Sequence, residues 1–269
     1  MTMYAAALII GLVWLVPFMG VLMASVRPLS EINQGWWRLS PFTPTLRNFV
    51  NAWNHPAAPV SQGMVNSLKV AIPGTIIPVL AASIAAYGFA RFRFFGRDAL
   101  FLLVLALMTL PQQMIAVPIY SLMNKLGAVD SYVGLILVHA AWGIPWVLFF
   151  MRNYFTTLPL EVEEAARVDG ASDWRIFFQI VAPMALPALA SACVLQFMWV
   201  CSDFFLALIL IYSPAKILAT QRVPLLRGVY HVDWGILAAG SIIVMAVPVL
   251  VFILMQRYYI KGMAGWTSK

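Results

Sequence analysis

Side chains that could carry out catalysis are few in this sequence and lie far apart along it. The three histidines, His55, His139 and His231, fall in separate regions without the spacing of a metal site or a catalytic centre. Cys193 and Cys201 lie in one apolar run, where a helix would place them about 12 Å apart, too far for a disulfide. The sequence therefore argues against an enzyme, a disulfide framework and a metal site.

Polar and aromatic side chains recur at helical spacing inside three otherwise apolar runs. They are Gln112 and Gln113, which with Pro111 interrupt the first of these runs in its outer half, His139, Trp142 and Trp146 in the next run, and Gln196, Trp199 and Asp203 in the last. The last two sets have i, i+3, i+7 spacing, which puts each set on one face of a helix. Asp203 lies nine residues before Tyr212, which is about 14 Å along a helix and near the middle of a ~30 Å membrane core.

Polar groups at this depth have two interpretations. Amide, carboxylate and indole groups can line a path for a hydroxylated solute, or they can join helices by hydrogen bonds and aromatic packing. The candidates for such a path are Gln112, Gln113, His139, Trp142, Gln196, Trp199 and Asp203. The sequence leaves both interpretations open.

The longest charged stretch, residues 152–182, has the pattern of two short helices. Pro159 suits a first helical turn, and three glutamates close behind it favour the positive end of the helix dipole. Gly170 can end this helix with a positive φ, and Ser172 can cap a second helix that extends to about Ile180. Most charged segments of this kind are solvated loops, and composition alone does not set this one apart.

The rest of the chain consists mainly of apolar runs long enough to cross a membrane. Hydrophobic residues make up 62% of the 269 residues and charged residues 10%, far from the ~45–50% and ~25% of a soluble domain. Because the runs are continuous rather than alternating, they predict helices and not a barrel. We predict one all-α integral membrane domain, 1–269, with six spans at about 4–25, 64–90, 99–120, 132–151, 186–212 and 235–256.

Basic residues set the expected orientation of these spans. The connection between the second and third spans contains Arg91, Arg93 and Arg97, close to two span ends, where the positive-inside rule has most weight. Residues 152–182 and both termini are then cytoplasmic, with nine basic residues inside against seven outside. The first run is retained as a span because it exceeds the length of a signal-peptide core and no basic segment precedes it. The net charge of +7 is typical of basic cytoplasmic loops, and we expect no nucleic-acid partner.

The charged stretch also contains a spaced motif. Glu164-Ala165-Ala166 is followed by Asp169-Gly170-Ala171 and then by Ile180-x-x-Pro183. This pattern resembles the EAA loop of permease subunits in binding-protein-dependent ABC importers. Ala86-Tyr87-Gly88-Phe89-Ala90-Arg91 and Asp233-Trp234-Gly235 extend the resemblance over nearly the whole chain, and they are most similar to the maltose-type carbohydrate permeases.

Two positions depart from that family pattern. Ala182 precedes Pro183, where the family often has Leu before the proline. The fifth span has Cys201-Ser202-Asp203-Phe204 where the family often has Trp-Asn, an acidic residue and Phe. The first departure leaves the resemblance intact, and the second obscures the identity of the substrate.

The resemblance implies that the loop at 152–182 forms a coupling helix, which docks on an ATP-binding subunit and passes its closure to the membrane helices. The coupling residues would be Glu164, Ala165, Ala166, Asp169 and Gly170. The carboxylates would offer charge-assisted contacts, the alanines close approach and the glycine a bend. Since no Gly-x-x-x-x-Gly-Lys-Ser/Thr sequence occurs in this chain, ATP and Mg²⁺ would bind to the partner ATPase subunits, and no cofactor is expected here.

The resemblance further implies a heteromeric complex in a bacterial or archaeal cytoplasmic membrane. Its members would be a second permease, two ATP-binding subunits and an extracytoplasmic solute-binding protein that faces residues 27–63 and 213–234. The implied substrate is a carbohydrate, although a polyol or glycerol-phosphate importer would share this scaffold. An ATP-independent secondary transporter remains as an alternative, and the halves of the sequence lack the internal repeat that is typical of that class.

Overall fold

The computed structural model describes the backbone of residues 2–228 and 232–264 and the side chains of residues 4–228 and 232–257, so that His231 lies outside it. The described part of the chain is helical and has no strand. Its α-helices are α1 (Thr2–Ser25), α2 (Leu29–Ile32), α3 (Arg47–Trp53), α4 (Val60–Arg91), α5 (Arg97–Met108), α6 (Ala116–Lys125), α7 (Tyr132–Phe155), α8 (Leu160–Val168), α9 (Asp173–Ile176), α10 (Ala182–Met184), α11 (Leu186–Ser202), α12 (Phe205–Leu210), α13 (Ala219–Leu225) and α14 (Trp234–Ala264). A 3₁₀ turn (Gln112–Ile115) precedes α6, and a π-helical turn (Phe177–Val181) joins α9 to α10.

Four helices in the described part of the chain are long and apolar enough to cross a membrane. They are Tyr4–Ser25, Val60–Arg91, Tyr132–Phe155 and Trp234–Arg257. Two further pairs meet the same test together but are bent: α5 with the segment Gln112–Lys125 by 94°, and Asp173–Met184 with α11 by 77°. If each bent pair is one span, the total is six. The all-α membrane fold that the composition predicts is thus confirmed.

The third predicted span, 99–120, is not one straight helix. Helix α5 ends at Met108, and Pro111 has extended backbone angles, φ −66° and ψ 132°, before the 3₁₀ turn begins. Proline has no amide hydrogen and its ring blocks the preceding helical turn, so the helix axis changes direction here. Gln112 and Gln113 therefore lie in a turn.

The fifth predicted span, 186–212, is interrupted at Asp203. Helix α11 ends at Ser202, and Asp203 is extended with φ −66° and ψ 131°. Its carboxylate accepts hydrogen bonds from the amides of Leu206 (3.4 Å) and Ala207 (3.0 Å) in the next helix. An aspartate that caps following amides competes with a continuous helix. The depth deduced for Asp203 from the helical rise therefore does not apply.

The chain divides into two compact units. The first comprises Met1–Ser67 and Ser213–Val247. Its core consists of small and medium apolar residues from three stretches of the chain: Ala52, Ala58, Val60, Met64, Ala219, Leu226 and Ala239. The packing is tight at Gly240, where an added Cβ would clash with Leu226 Cδ1.

The second unit comprises Leu68–Tyr212 and Pro248–Lys269. Its core is built where α4, α7, the π-helical turn and α11 meet, and its largest members are aromatic or long apolar side chains: Tyr87, Phe89, Leu148, Met151, Phe155, Ile176 and Phe177. Aromatic rings pack edge to face here, with the Tyr87 and Phe155 ring centroids 6.1 Å apart. This core carries the segment α8–α10 at one end of α4.

Candidate coupling helix and membrane path

Helix α8 forms where the sequence predicts the first short helix of the charged stretch. Pro159 precedes it in an extended conformation, and Gly170 follows it with φ +81°. The Gly170 amide donates to the Arg167 carbonyl (3.0 Å) and the Ala171 amide to the Ala166 carbonyl (2.9 Å). These two bonds form a Schellman motif, whose left-handed position glycine fills without strain.

The second short helix is capped as predicted but is less regular. Ser172 Oγ accepts from the Arg175 amide at 3.4 Å, and α9 then has only four residues before the π-helical turn begins at Phe177. Pro183 cannot donate to the carbonyl one turn back, and a widened turn relieves that conflict. The helical path nevertheless continues through Pro183 to Met184.

The predicted coupling residues lie mainly on the outer face of α8 and of the turn that follows it. Glu164, Ala165, Asp169 and Gly170 are exposed, whereas Ala166 is half-buried against the core of the second unit. Within the described chain, neither the Glu164 nor the Asp169 carboxylate has a hydrogen-bond or ion-pair partner. This face is therefore available for contacts with another protein.

Apolar side chains extend the exposed face next to α8. Val168 is 88% exposed, Trp174 62% and Phe178 56%. The Trp174 and Phe178 rings stack with centroids 6.0 Å apart and planes 15° apart. Exposed aromatic side chains of this kind are typical of a protein-binding surface.

A residue that the sequence reasoning missed, Glu163, holds α8 from its inner side. Its carboxylate accepts from the Tyr87 hydroxyl (2.9 Å, at Oε2) and from Arg91 Nε (2.7 Å, at Oε1). The two side chains of the ion pair are 8% exposed for Arg91 and 2% for Glu163. Two spacings in the sequence could have suggested a buried contact. Tyr87 and Arg91 lie four residues apart, about one helical turn, and Glu163 and Ala166 lie three apart, so that each pair shares one helix face.

At the centre of the second unit, Gln196 joins three helices. Its Nε2 donates to the carbonyls of Gly74 in α4 (3.1 Å) and His139 in α7 (3.4 Å), while its Oε1 accepts from Trp146 Nε1 (2.8 Å). The amide reaches both backbones because Gly143 has no side chain. A Cβ there would lie 2.6 Å from Gln196 Nε2.

Four of the predicted path residues share a small recess around this amide. Its lining consists of His139, Trp142, Gly143, Trp146, Gln196 and Trp199. Its volume is about 10 Å³, which is room for one water molecule and not for a sugar ring. In this conformation the recess has no room for a solute, and Gln196 and Trp146 bond across the helices there.

The remaining path candidates divide into one neighbour and two outliers. Asp203 Oδ2 lies 3.7 Å from His139 Nε2, and both side chains are buried. Gln112 and Gln113 do not line the recess, because the 3₁₀ turn carries them; Gln113 is exposed and Gln112 half-buried. The structure thus groups five of the seven candidates.

In the first unit, a buried arginine organises the stretch after α1. Arg27 donates to Glu31 Oε2 (2.9 Å) and to the carbonyls of Arg38 (2.8 Å) and Pro41 (2.6 Å). Hydrogen bonding from Thr43, with the Arg27 contact added, lowers the pKa of the Glu31 carboxyl from its ordinary value. These bonds give the segment 27–43 a defined shape.

The family of inner membrane components of binding-protein-dependent transport systems matches residues 74–264, which include α8 and the whole recess. The chain belongs to this family. The expectation from the EAA-like motif is confirmed, and the protein is a multi-pass permease of a binding-protein-dependent ABC importer.

Proteins with similar sequences agree with this assignment. It is 60% identical to a probable ABC transporter permease of Pyrococcus horikoshii, over 96% of this chain and 94% of that one. It is 38% identical to the alpha-glucoside transport system permease of Rhizobium meliloti, over 84% of this chain and 60% of that protein. Among solved structures, a bacterial ABC transporter involved in the import of the acidic polysaccharide alginate shares the fold, with a TM-score of 0.78, 21% identity and 95% coverage of both chains.

Proposed function

We propose that this permease takes up a carbohydrate as one half of a heteromeric translocation path, and that α8 couples the path to ATP-binding subunits. The observation that supports this most directly is the exposed outer face of α8. Glu164 and Asp169 stand unpaired there within the described chain, while the inner face of the same helix is fixed by Glu163. A rigid helix with unpaired carboxylates is suited to charge-assisted binding by a partner protein.

The coupling step follows from this arrangement. An ATP-binding subunit, which holds ATP and Mg²⁺, would bind to Glu164, Ala165 and Asp169. It would displace α8 when it closes on nucleotide. Ala165 permits close approach, and Gly170 sets the direction of the chain after the helix. The permease itself contributes no cofactor to this step.

The recess supports a polar, ring-shaped solute as the cargo. Indole rings and a carboxamide are the groups that sugar-binding sites use, since flat apolar ring faces stack on the sugar while amides bind its hydroxyls. The recess is closed at about 10 Å³, so passage requires the helices around Gln196 to separate. The similarity to the alpha-glucoside transport system permease of Rhizobium meliloti also supports a carbohydrate as the cargo.

The proposed arrangement has both termini and residues 152–182 in the cytoplasm. Residues 27–63 and 213–234 then face the solute-binding protein on the other side of the membrane. A second permease completes the path with its own helices.

Affinity purification tests this proposal. The tagged chain is extracted from native membranes in mild detergent, and co-purifying proteins are identified by mass spectrometry. We expect an ATP-binding subunit and a second, non-identical permease. Recovery of a stable complex that contains this chain alone would overturn the proposal and would favour an ATP-independent transporter.

The substrate class is tested with the solute-binding protein of the same system. Its thermal unfolding is measured with a panel of mono- and oligosaccharides, and in parallel with polyols and glycerol phosphate. Stabilisation by a saccharide alone supports carbohydrate uptake. Stabilisation only by a polyol or by glycerol phosphate would reassign the substrate and leave the importer class unchanged.

A further inference from the structure

Glu163 differs from its neighbours in α8 because it points into the protein. Glu161 and Glu164 are exposed, whereas Glu163 is 1% exposed. It is the residue of α8 whose side chain bonds to α4, whereas Arg167 pairs with Asp173 at the start of α9 (3.1 Å). A force that passes from α8 to α4 by side-chain hydrogen bonds therefore passes through Glu163.

The contact is directional. Two residues one turn apart on α4, Tyr87 and Arg91, each bind a different oxygen of the same carboxylate. Arg91 Nη2 also donates to the Leu158 carbonyl (3.1 Å), directly before α8 begins. With both oxygens and the preceding backbone fixed, α8 cannot rotate or slide along α4 without breaking a hydrogen bond.

Helix α4 connects this contact to the recess. It is helical from Val60 to Arg91, with Pro73 and Pro78 inside it, and Gly74 lies 13 residues before Tyr87, which is about 20 Å along the axis. The Gly74 carbonyl accepts the hydrogen bond from Gln196. A displacement of the Arg91 end of α4 thus reaches the group that holds the recess closed.

We propose that Glu163 is the positioning residue through which motion of α8 is delivered to α4, so that α8 and α4 move as one body away from α7 and α11 and separate Gly74 from Gln196. This assignment rests on the proposed function, because it needs an ATP-binding subunit to move α8. The sequence-based coupling residues receive the force on the outer face, and Glu163 transmits it from the inner face. Tyr87 and Arg91 are its partners in α4.

Spin labels at exposed positions test this in the complex with its ATP-binding subunits. Cys193 and Cys201 are first replaced by alanine. One label pair, Val162→Cys with Leu80→Cys, reports the distance from α8 to α4, and a second pair, Leu80→Cys with Val133→Cys, reports the distance from α4 to α7. All three positions are exposed. Distances are measured by pulsed electron spin resonance without nucleotide and with ATP and vanadate.

In the unsubstituted complex we expect nucleotide to leave the α8–α4 distance unchanged and to shift the α4–α7 distance. Glu163→Gln keeps the volume of the side chain, but its amide nitrogen cannot accept a hydrogen bond, so either Tyr87 or Arg91 loses its acceptor. We expect this variant to lose the nucleotide-dependent shift between α4 and α7 and to broaden the α8–α4 distance. Glu161→Gln, an exposed glutamate in the same helix, is the matched control and should behave like the unsubstituted protein.

A second variant keeps the proposal testable if Glu163→Gln does not fold. Tyr87→Phe keeps the ion pair and removes only the hydroxyl, so we expect it to reduce the α4–α7 shift in part. Tyr154→Phe, a half-buried tyrosine of the same core, is its control and should leave the shift unchanged.

Two results would overturn the proposal. One is an α8–α4 distance that changes with nucleotide in the unsubstituted complex. The other is a normal α4–α7 shift in an assembled Glu163→Gln complex, because Glu163 would then only hold the fold together. Failure of the proposed function is distinguishable from both, since the purified complex would contain no ATP-binding subunit at all.

Discussion

Two buried polar sites, the contact of Glu163 with Tyr87 and Arg91 (the anchor) and the recess around Gln196, are built from different bonds. At the anchor, the partners of Glu163 are two side chains, one of them charged. In the recess, two of the three partners of Gln196 are backbone carbonyls, and a glycine makes room for it. The anchor should therefore be sensitive to charge, and the recess should be sensitive to volume.

The largest loss of stability is expected when the anchor loses one charge. Glu163→Ala leaves the guanidinium of Arg91 buried without its carboxylate, and breaking a buried pair in this way costs about 3–5 kcal/mol in the free energy of unfolding. Thermal unfolding of the purified permease in detergent measures the change. Glu161→Ala, at an exposed position of the same helix, should stay within about 0.5 kcal/mol of the parent; equal losses in both variants would contradict a specific anchor.

The recess should respond next, to a single methyl group. In Gly143→Ala the new Cβ lies 2.6 Å from Gln196 Nε2, and overpacking of this kind costs about 1–3 kcal/mol. The control is Gly88→Ala in α4, where an added Cβ meets nothing within 4 Å and alanine is favoured over glycine in a helix by about 0.5–1 kcal/mol. Thermal unfolding should rank Gly88→Ala above the parent and Gly143→Ala below it. If Gly143→Ala unfolds at the parental temperature, the space around Gln196 accepts the added methyl group and the expected crowding is absent.

A third glycine separates backbone strain from crowding. Gly170 has φ +81°, and an added Cβ there would meet nothing within 4 Å, so Gly170→Ala costs only the left-handed backbone, about 1–2 kcal/mol. The midpoint temperature of its thermal unfolding should lie below that of Gly88→Ala and no lower than that of Gly143→Ala. Gly170→Asn, a residue that tolerates this backbone region better, should recover part of the loss; no difference between alanine and asparagine would contradict the assigned strain.

Much of the fold followed from the sequence because long apolar runs have few alternatives in a membrane. The start of α7, both ends of α8, the positive φ at Gly170 and the cap at Ser172 depend on local residues and were predictable, whereas α7 extends to Phe155, beyond the predicted end at residue 151. The sequence indicates an interruption at Pro111 but not the helix end before it, and it does not indicate the break at Asp203. Proline is tolerated inside membrane helices when neighbours satisfy the freed backbone groups, and an aspartate when it faces the bundle interior, so the sequence alone does not decide between a kink and a break.

The site was predictable in part for the same reason. The motif identified the outer face of α8, and i, i+3, i+7 spacing identified five of the six residues that line the recess. Glu163 was overlooked because its partners lie 72 and 76 residues earlier in the chain, and no local pattern links them to it. Its pairing depends on how α4 and α8 pack, which is a tertiary property.

The smallest change in stability should accompany the complete loss of function, on the outer face of α8. Glu164 is exposed and unpaired within the described chain, so Glu164→Lys should alter the free energy of unfolding by no more than about 0.5 kcal/mol. Membrane fractionation should recover the variant at the parental level, and uptake of the solute that stabilises the binding protein should be abolished. Glu161→Lys reverses the same charge in the first turn of the same helix and should retain uptake. If Glu164→Lys transports normally, the outer face is not where the ATP-binding subunit docks; if both variants lose uptake equally, the helix responds to its net charge and not to a specific contact at Glu164.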